Sequence, residues 1–529
     1  MSSTNGLLCL VLHAHLPYIR HAEHEHFLEE DWLFEAIVET YVPLLRMLER
    51  LDANGIQYRL SMSLTPSLAA MLGDDLLQRR FRRYLTRLIR LIDREVEGHS
   101  TDSPIGKVTH FYRRRLHETR EFVDDRWGGK LLHAFADARA RGGLEILTCT
   151  ATHGLLPAMS TREAQRAQVR AGVESYRRLF GEGPRGIWLA ECGYEEGVDE
   201  ILAESGIEYF YADSHAVLLG DPRPALGMNA PVRTPAGVFC FPRDDESSKQ
   251  VWSADEGYPG DPCYREFYRD LGYDADYDYI RPYLHPDGVR RGVGLKYYRI
   301  TGNVALHEKD YYDADAAAQR AEVHAGNFAF NREVQARSLA GGMDRPPLIV
   351  SPYDAELFGH WWFEGPLFLE HVLRKVATEM PTVELITGGD YIDRGYPVQE
   401  QQPNASTWGD EGYFRVWLNG SNAWFYRHQH HAERRMSELA RRHPHAEGIL
   451  KEALDQAARE LLLAQSSDWA FIVTMGTTVP YAVRRFKSHV DSFASLADSI
   501  EQGAPDSALV HRLRGEDPIF PWLDYRVFA

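Results

Sequence analysis

The stretch LLCLVLHAH, residues 7–15, sets six consecutive apolar residues directly before a segment with two histidines. A short, uninterrupted apolar run of this kind is typical of a strand that is buried on both faces. Five further runs continue the pattern along the chain, at residues 58–64, 144–150, 186–189, 209–212 and 347–351. We interpret all six runs as buried strands.

Long amphipathic segments separate these strands. Residues 33–51 place a row of apolar side chains on one helical face, and residues 162–180 form another such segment. Buried strands that alternate with helices favour a parallel α/β sheet. Because at least six strands follow one another in this way, the sequence predicts a complete or incomplete (β/α) barrel.

Two segments interrupt the alternation of strands and helices. Residues 78–140 carry no strand signal and many Arg and Leu residues, which predicts a helical excursion. Residues 213–260 are rich in Pro, Gly and Asp and predict a loop-rich inserted subdomain over the barrel mouth. Arg, Glu, Ala and Leu patterns near the end of the chain indicate helices. We therefore expect a catalytic barrel over residues 1–410 and a helical domain over residues 411–529.

The charge balance narrows the classes of partner. The 529-residue chain has 59 Lys and Arg residues against 77 Asp and Glu residues, a net charge of −18. Nucleic-acid binding rests on many basic contacts to phosphate, so we expect no nucleic-acid partner.

No apolar run approaches the length of a membrane span, and the first residues lack a signal peptide's basic segment. Five scattered cysteines favour a reducing compartment, and we expect a cytoplasmic protein without membrane contact.

Ionisable side chains follow four of the predicted strands. His13 and His15 come after the first strand, His153 after the third, Glu191 after the fourth and Asp354 after the last. In a parallel barrel the carboxyl ends of the strands surround the active site. We therefore expect these side chains to meet in one pocket.

Glu191 and Asp354 form the pair with the clearest chemistry. Two carboxylates that flank a glycosidic bond are the minimum apparatus for its cleavage, since one attacks the anomeric carbon and the other protonates the leaving oxygen. Each residue also has an ordinary structural interpretation. Asp354 can cap the helix that follows it, and Glu191 can form a buried ion pair with an arginine.

His13 and His15 also suit a divalent metal ion. The pair would need a third ligand, for which His153, Asp354 or Glu191 is available. This arrangement gives the rival hypothesis of a metal-dependent hydrolase or deacetylase.

Several tryptophans lie in turn-rich segments rather than at periodic core positions: Trp252, Trp361, Trp362, Trp408 and Trp417. Indole rings beside carboxylates can hold the apolar faces of sugar rings. Packing between domains explains any single one of these tryptophans equally well.

Five motifs of the chain resemble the ordered sequence regions of glycoside hydrolase family 57: HAHLPY (13–18), ATHGLLP (151–157), GIWLAECGY (186–194), SPYDAELFGHWWFEGP (351–366) and SSDWAF (466–471). Two further segments are also similar to that family, QVWSADEGYPGD (250–261) and the STWG…VW element of residues 406–417. Within the family, the sequence most resembles the 1,4-α-glucan branching enzymes. The resemblance covers nearly the whole chain.

This resemblance implies a distorted (β/α)7 barrel with an inserted small domain and a C-terminal α-helical domain. It implies that Glu191 is the nucleophile and Asp354 the general acid/base of a retaining double displacement. It also implies that aromatic, imidazole and carboxylate side chains line the donor subsites: His13, His153, Trp252, Trp361, Trp408, Trp417 and Asp468. We expect His15 and Arg243 to take part in substrate binding as well.

The same resemblance implies an enzyme that needs no metal or other cofactor. Its donor and its acceptor would both be α-1,4-glucan chains, such as amylose or glycogen, and its product an α-1,6 branch. We expect a monomer or a weak homo-oligomer. The alternatives are a 4-α-glucanotransferase or an α-amylase of the same family, and a catalytically silent glucan-binding protein.

One stretch departs from the family pattern. In some branching members a tyrosine on a mobile loop over the active site helps to exclude water. The corresponding stretch here, NAPVRTPAGVFCFPRD at residues 229–244, contains no tyrosine. The sequence therefore leaves open how much of the glycosyl-enzyme reacts with water rather than with an acceptor chain.

Overall fold

Parallel strands form the centre of the molecule. A computed structural model of the chain describes residues 5–253 and 256–529. Nine strands occur in these residues: β1 (Gly6–Ala14), β2 (Leu60–Leu64), β3 (Leu144–Cys149), β4 (Gly186–Trp188), β5 (Tyr209–Ala212), β6 (Val232–Arg233), β7 (Phe239–Pro242), β8 (Leu348–Asp354) and β9 (Val383–Leu385).

Seven of the strands run parallel in the order β7-β5-β4-β3-β2-β1-β8. The short β6 is antiparallel to β7, and β9 pairs with β1 beside β8. The two ends of this row approach each other, because the N–H of Asp244 donates to the carbonyl of Val350 at 2.8 Å. The architecture is thus a distorted (β/α)7 barrel, as predicted.

All six predicted strands are present, but three short ones were not predicted. The prediction that residues 213–260 form an inserted loop-rich subdomain is wrong for β7, which pairs with β5 as part of the barrel wall. Its four residues closely follow Gly237 and end with Pro242, so turn signals outweigh the short apolar run. Within the stretch 229–244, residues 232–233 form β6 and residues 239–242 form β7.

Alternate side chains of β1 face opposite sides of the barrel wall, as the pleat of a strand requires. Leu7, Cys9 and Val11 pack with Trp188 inside the barrel. Leu8, Leu10 and Leu12 belong to the larger core under the surrounding helices. Burial on both faces explains why the strand is apolar at consecutive positions.

Fifteen α-helices of the described residues lie around the barrel or between its strands: α1 (Glu30–Ala36), α2 (Val42–Ala53), α3 (Pro66–Leu72), α4 (Asp75–Gly98), α5 (Pro104–Arg120), α6 (Leu131–Ala140), α7 (Arg162–Phe180), α8 (Val198–Glu204), α9 (Ser214–Leu218), α10 (Asp245–Trp252), α11 (Leu271–Asp274), α12 (Tyr277–Ile280), α13 (Ala314–Ala340), α14 (Gly365–Glu379) and α15 (Gly388–Asp393). Helix α7 begins where the Thr161 side chain accepts the N–H of Ala164, and it ends at Gly181, whose φ of 79° stops the helix.

Five further helices follow near the end of the chain: α16 (Trp424–Arg442), α17 (Gly448–Ala464), α18 (Ser467–Met475), α19 (Val479–Glu501) and α20 (Ser507–Glu516). The start of α18 returns to the barrel, because the N–H of Ser467 donates to the carbonyl of His153 at 3.0 Å. The C-terminal helices therefore contribute side chains to the carboxyl ends of the strands.

A close backbone approach fixes the loop after β8. Gly359 has a φ of 118°, and a Cβ there would lie 1.8 Å from the carbonyl oxygen of Glu39. Only glycine fits such a position without a shift of the backbone. Among the residues of the described ranges, no helix is both long and apolar enough to cross a lipid bilayer.

Candidate active site

Six ionisable residues of the predicted site meet at the carboxyl ends of the strands. His13 on β1 is directly opposite Asp354 on β8 in the register of the sheet. His153 lies in the turn after β3 and Glu191 in the turn after β4. Asp468, on the first turn of α18, reaches the same place from the C-terminal helices and binds His15.

Glu191 is held in an unusual backbone conformation. Its φ of 60° and that of Cys192, 51°, both lie in the left-handed region, which residues with a side chain rarely adopt. The backbone N–H of Trp408 donates to the carbonyl of Glu191 at 3.0 Å. Strain of this kind persists where surrounding contacts determine the conformation, and it is common at active sites.

The carboxylate of Glu191 is 8% exposed and accepts a hydrogen bond at each oxygen. The indole N–H of Trp408 donates to Oε2 at 3.0 Å, and the hydroxyl of Ser467 donates to Oε1 at 2.9 Å. Among the described residues, no arginine pairs with it, so the buried Arg–Glu interpretation is wrong. Two aimed donors favour the ionised form of this group.

Asp354 is the last residue of β8, and its side chain is open to the solvent of the cleft. It does not cap the short helix that follows it. No donor of the described residues bonds to its carboxylate. The structure therefore leaves this group free for a ligand.

Both carboxyl groups have raised pKa values. Burial raises the pKa of Glu191 to about 7, against the opposing effect of the Trp408 and Ser467 donors. The protein walls of the cleft raise the pKa of Asp354 to about 7, although its side chain touches solvent, and the charge of Glu191 acts in the same direction. When only one of the two groups is protonated, the hydrogen-bond donors at Glu191 favour the ionised form of that residue. The proton is then on Asp354.

His15 and Asp468 are hydrogen-bonded to each other at the side of the cleft. The Nε2 atom of His15 lies 3.0 Å from Oδ2 of Asp468, and its Nδ1 atom lies 3.1 Å from the hydroxyl of Thr65. Burial alone would raise the pKa of Asp468, but His15 lowers it to about 2. Asp468 is therefore a fixed negative charge in the site.

His13 and His153 bond to each other through their Nε2 atoms at 2.9 Å. The Nδ1 atom of His13 lies 2.6 Å from the hydroxyl of Ser63, and that of His153 lies 2.8 Å from the hydroxyl of Ser467. Burial holds the pKa of both imidazoles well below the ordinary value of histidine. Both rings are therefore neutral.

The predicted His13–His15 metal pair does not form as such. The group at the cleft whose ligand atoms could gather at one ion consists of His15, His153 and Asp468. Every imidazole nitrogen of these two histidines already has a protein partner. An ion would have to displace these hydrogen bonds, so the residues fit a metal poorly.

The predicted tryptophans differ in their exposure. Trp408 is partly exposed and lies edge-on to Trp188, 4.9 Å between ring centroids. Trp361 is 55% exposed and stacks on Phe267 at 4.5 Å, so its outer face is open. Trp252, at the end of α10, is equally exposed.

Trp417 is not placed to stack on a sugar ring. The ring is 1% exposed and packs against Gly409, where a Cβ would lie 2.6 Å from it. A sugar cannot stack on a face that protein already covers. Its N–H has no partner within hydrogen-bonding distance among the described residues, but it faces Glu191 and lowers the pKa of that group slightly.

Arg243 lies beside the site without pointing freely into it. Its guanidinium pairs with Asp213 at 2.6 Å.

Residues Ala254 and Asp255, which belong to the motif at 250–261, lie outside the described residues.

Sequence reasoning missed several side chains of the site: Tyr41, Ser63, Thr65, Glu356 and Ser467. Glu356 accepts the hydroxyl proton of Tyr41 at 2.6 Å and the backbone N–H of His15 at 3.1 Å, and burial raises its pKa to about 8. Ser467 stands directly before Asp468 in the quoted motif, which was the available signal. Serines on a buried strand give no comparable signal.

Models of two protein families match the chain. The model for glycosyl hydrolase family 57 matches residues 9–402. The model described as 1,4-alpha-glucan branching enzyme, C-terminal, matches residues 428–528. Together they span most of the chain, and Trp408 and Trp417 lie between the two matched segments.

Solved structures and one characterised sequence are similar over almost the full length. The alpha-amylase AmyC from Thermotoga maritima is 44% identical with a TM-score of 0.93, and the match covers 99% of each chain. A GH57-type branching enzyme from Pyrococcus horikoshii is 31% identical with a TM-score of 0.89, over 99% of this chain and 97% of that one. A 1,4-alpha-glucan branching enzyme from Thermococcus kodakarensis is 32% identical over 97% of this chain and 77% of that protein. Relatives with one fold thus carry two names, amylase and branching enzyme.

Proposed function

The chain belongs to glycosyl hydrolase family 57, and from that premise we propose that it is a 1,4-α-glucan branching enzyme. It cleaves an α-1,4 linkage of a glucan such as amylose or glycogen and joins the released segment to a 6-hydroxyl of an acceptor chain. The branching enzymes among its relatives and the match of the C-terminal segment to a branching-enzyme model support this activity.

One observation supports the chemistry above all. Glu191 receives two hydrogen-bond donors, whereas Asp354, in the same cleft, receives none from the described residues and has a pKa raised to about 7. The arrangement suits an ionised nucleophile and a protonated acid near neutral pH. This is the division of roles that a retaining glycosidase mechanism requires.

Each carboxyl group acts twice in the cycle. Glu191 attacks C1 of an internal glucosyl unit, the C1–O4 bond breaks, and the proton of Asp354 goes to the departing O4. Asp354 then removes the proton from a 6-hydroxyl, whose oxygen attacks C1 and releases Glu191 as a carboxylate. The product is an α-1,6 linkage with retained configuration.

Substrate contacts come from the open parts of the cleft. We assign glucosyl stacking to Trp408 and Trp361, whose rings are accessible, and to the exposed Trp252 at the rim. The hydrogen-bonded pair of His15 and Asp468 offers polar contacts to sugar hydroxyls. Arg243, which pairs with Asp213, can orient the substrate in the same part of the cleft.

Hydrolysis is the second candidate activity, because the alpha-amylase AmyC is 44% identical to this chain. Both activities share the glycosyl-enzyme and differ only in whether water or a sugar hydroxyl attacks it. The nucleophile and the acid would be the same residues in either case.

Incubation with amylose distinguishes these activities. We expect proton NMR to show new α-1,6 linkages while the count of reducing ends hardly rises. Reducing ends that accumulate without α-1,6 linkages would identify an amylase. Chain lengths that are redistributed, with neither new α-1,6 linkages nor new reducing ends, would identify a 4-α-glucanotransferase. The Glu191→Gln variant is the matched control, and a wild type equal to it in every assay would mean that the protein only binds glucan.

A further inference from the structure

Four buried side chains from four separate segments are linked by successive hydrogen bonds that end at Glu191: Ser63 on β2, His13 on β1, His153 after β3 and Ser467 on α18. The four bonds measure 2.6, 2.9, 2.8 and 2.9 Å between heavy atoms. We call this set the serine–histidine chain. It runs from the barrel wall to the C-terminal helices. Its last member bonds to the nucleophile, and Nδ1 of His153 lies 3.7 Å from Oε1 of Glu191.

The direction of every bond in the serine–histidine chain follows from its end. An ionised carboxylate only accepts, so the Ser467 hydroxyl donates to Glu191. The Ser467 oxygen then accepts from Nδ1 of His153. A neutral imidazole carries one N–H, which leaves Nε2 of His153 as an acceptor.

The remaining two bonds are fixed in the same way. Nε2 of His13 must donate to His153, so Nδ1 of His13 accepts and the hydroxyl of Ser63 donates to it. The whole set thus has one polarity, with each proton pointing towards Glu191. Both oxygens of that carboxylate face a donor, since Trp408 holds Oε2.

We propose that the serine–histidine chain is a positioning device that keeps the nucleophile ionised and aimed at the anomeric carbon. To protonate Glu191 at Oε1, Ser467 must turn its hydroxyl towards His153, which requires both imidazoles to change tautomer and Ser63 to turn away. Four groups must therefore reverse together. This inference rests on the proposed role of Glu191 as nucleophile and adds that Ser63 and Ser467 are positioning residues.

The geometry supports coupling over this distance because each member is fixed by its backbone. Ser63 is the register partner of His13 in the sheet, and Ser467 bonds to the carbonyl of His153. Three members are almost completely excluded from solvent, and Ser467 is buried as well. Hydrogen bonds in such surroundings polarise one another and resist rearrangement.

Other titratable groups also face Glu191 from the elements around it: Asp354 on β8, Asp468 on α18, Tyr426 on α16 and the adjacent Cys192. The negative charge of Asp468 disfavours the ionised nucleophile. Aimed donors are therefore needed to offset it. Because every variant below keeps these four groups, a change in the pH profile reports the serine–histidine chain.

The kinetic test measures kcat/KM against pH for total amylose cleavage, counted as transfer plus hydrolysis. We expect Ser467→Ala to move the acid limb of this profile, where activity falls at low pH, to higher pH by about one to two units. It should also lower kcat by roughly 10- to 100-fold, with KM nearly unchanged. Ser467→Thr keeps the hydroxyl and should restore most of both. Ser63→Ala, which does not touch Glu191, should move the limb in the same direction by a few tenths of a pH unit.

Ser61→Ala is the control, because Ser61 is as buried as Ser63 on the same strand but lies outside the serine–histidine chain. It should leave the acid limb in place. Serines with only a structural role would lower the melting temperature without moving the limb, and that result for Ser467→Ala would overturn the proposal. So would a Ser63→Ala profile identical to that of Ser61→Ala.

A second readout does not depend on catalysis. Nitrogen-15 NMR of histidine side chains in the resting enzyme should show the Nε2–H tautomer for His13 and the Nδ1–H tautomer for His153, with His13→Gln and His153→Gln used to assign the signals. Either imidazole in the opposite tautomer would contradict the proposed polarity. A wild type that cleaves no amylose but shows these tautomers would reject the proposed function and leave the polarity intact.

Discussion

Glu191 shows how a single residue can be placed by strain and hydrogen bonds together. His153, Glu191 and Cys192 all have positive φ values, between 51° and 60°. Residues with side chains pay for this conformation with free energy that neighbouring contacts must supply. The contacts here are the backbone and indole N–H groups of Trp408 and the hydroxyl of Ser467. The carboxylate therefore arrives at the cleft already oriented.

The different roles of Glu191 and Asp354 can be tested with azide as an external nucleophile. We expect Glu191→Ala and Asp354→Ala each to lose more than about 10³-fold of the activity on amylose. With an aryl α-maltooligosaccharide, whose leaving group needs no proton, azide should rescue both variants. The anomeric configuration of the glycosyl azide is read by NMR.

The two rescued products should have opposite configurations. In Glu191→Ala, azide occupies the space of the missing nucleophile and gives the β-azide by one inversion. In Asp354→Ala, Glu191 still forms the intermediate, and azide then gives the α-azide by a second inversion. If Glu191→Ala gave the α-azide and Asp354→Ala the β-azide, the roles of nucleophile and acid/base would have to be exchanged. If azide rescued neither variant although both were folded, these two residues would not be the catalytic pair.

At the scale of elements, the sequence predicts six buried strands, including the short β4 and β5, and misses β6, β7 and β9. β1 and β8 are apolar over many residues because both faces are covered, and this signal is visible in one sequence. β7 and β9 have four and three residues, and their pairing partners lie far away along the chain. Such strands are stabilised by the sheet that they join rather than by a local pattern.

The residues of the candidate site also include some that could be predicted from the sequence and some that could not. Charged residues at the ends of long strands, such as Glu191 and Asp354, could be predicted because topology brings strand ends together. Ser63 could not, because a buried serine on a strand has no pattern that separates a hydrogen-bond donor from a spacer. The burial of Trp417 was not predicted either, because the cluster that covers it includes side chains far along the chain, such as Trp469 and Phe486.

Trp408 and Trp417 therefore lead to opposite expectations. We expect Trp408→Ala to weaken binding of maltoheptaose roughly 3- to 10-fold through lost stacking, and to lower kcat because Glu191 loses a donor. We expect Trp417→Phe to leave binding unchanged and to lower the melting temperature, since it opens a cavity in a packed cluster. Calorimetric titration and thermal unfolding measure the two effects.

Trp127→Phe is a matched control for a lost indole outside the site. That ring packs at the edge of the core beside Phe122. It should change neither binding nor kcat. Weaker maltoheptaose binding in Trp417→Phe with an unchanged melting temperature would restore this residue as a binding platform.

At the scale of the whole molecule, a buried ionisable cluster joins the C-terminal helices to the barrel. Oε2 of Glu460 on α17 lies 2.8 Å from Nδ1 of His489 on α19, and the oxygens of Asp517 lie 3.9 Å from His489 and 3.6 Å from Arg485. Arg485 also donates to the carbonyl of Tyr18, in the segment after β1. The packing that holds α18 at the cleft therefore includes a group that titrates.

Burial raises the pKa of Glu460 to about 7. The folded chain thus prefers the protonated form, while the unfolded chain ionises near the ordinary pKa of about 4.3. The contribution of Glu460 to stability is complete below that value and is lost as the pH rises through about 7. His489, whose pKa burial lowers to about 3, has the opposite dependence, which persists in a variant that changes only Glu460.

The Glu460→Gln variant should separate this effect from all others, because an amide has the shape of the protonated acid and does not titrate. We expect the two proteins to melt at similar temperatures at pH 5. With rising pH the variant should become the more stable one, by at least about 2 °C at pH 8, and the difference should then stay constant. Glu452→Gln, which removes an exposed carboxylate of the same helix that pairs with Arg514, is the control and should show a difference that hardly changes with pH. A Glu460→Gln variant that is less stable than the wild type at every pH would mean that Glu460 is ionised and held by Arg485. In that case an ion pair, rather than a buried proton, would join the C-terminal helices to the barrel.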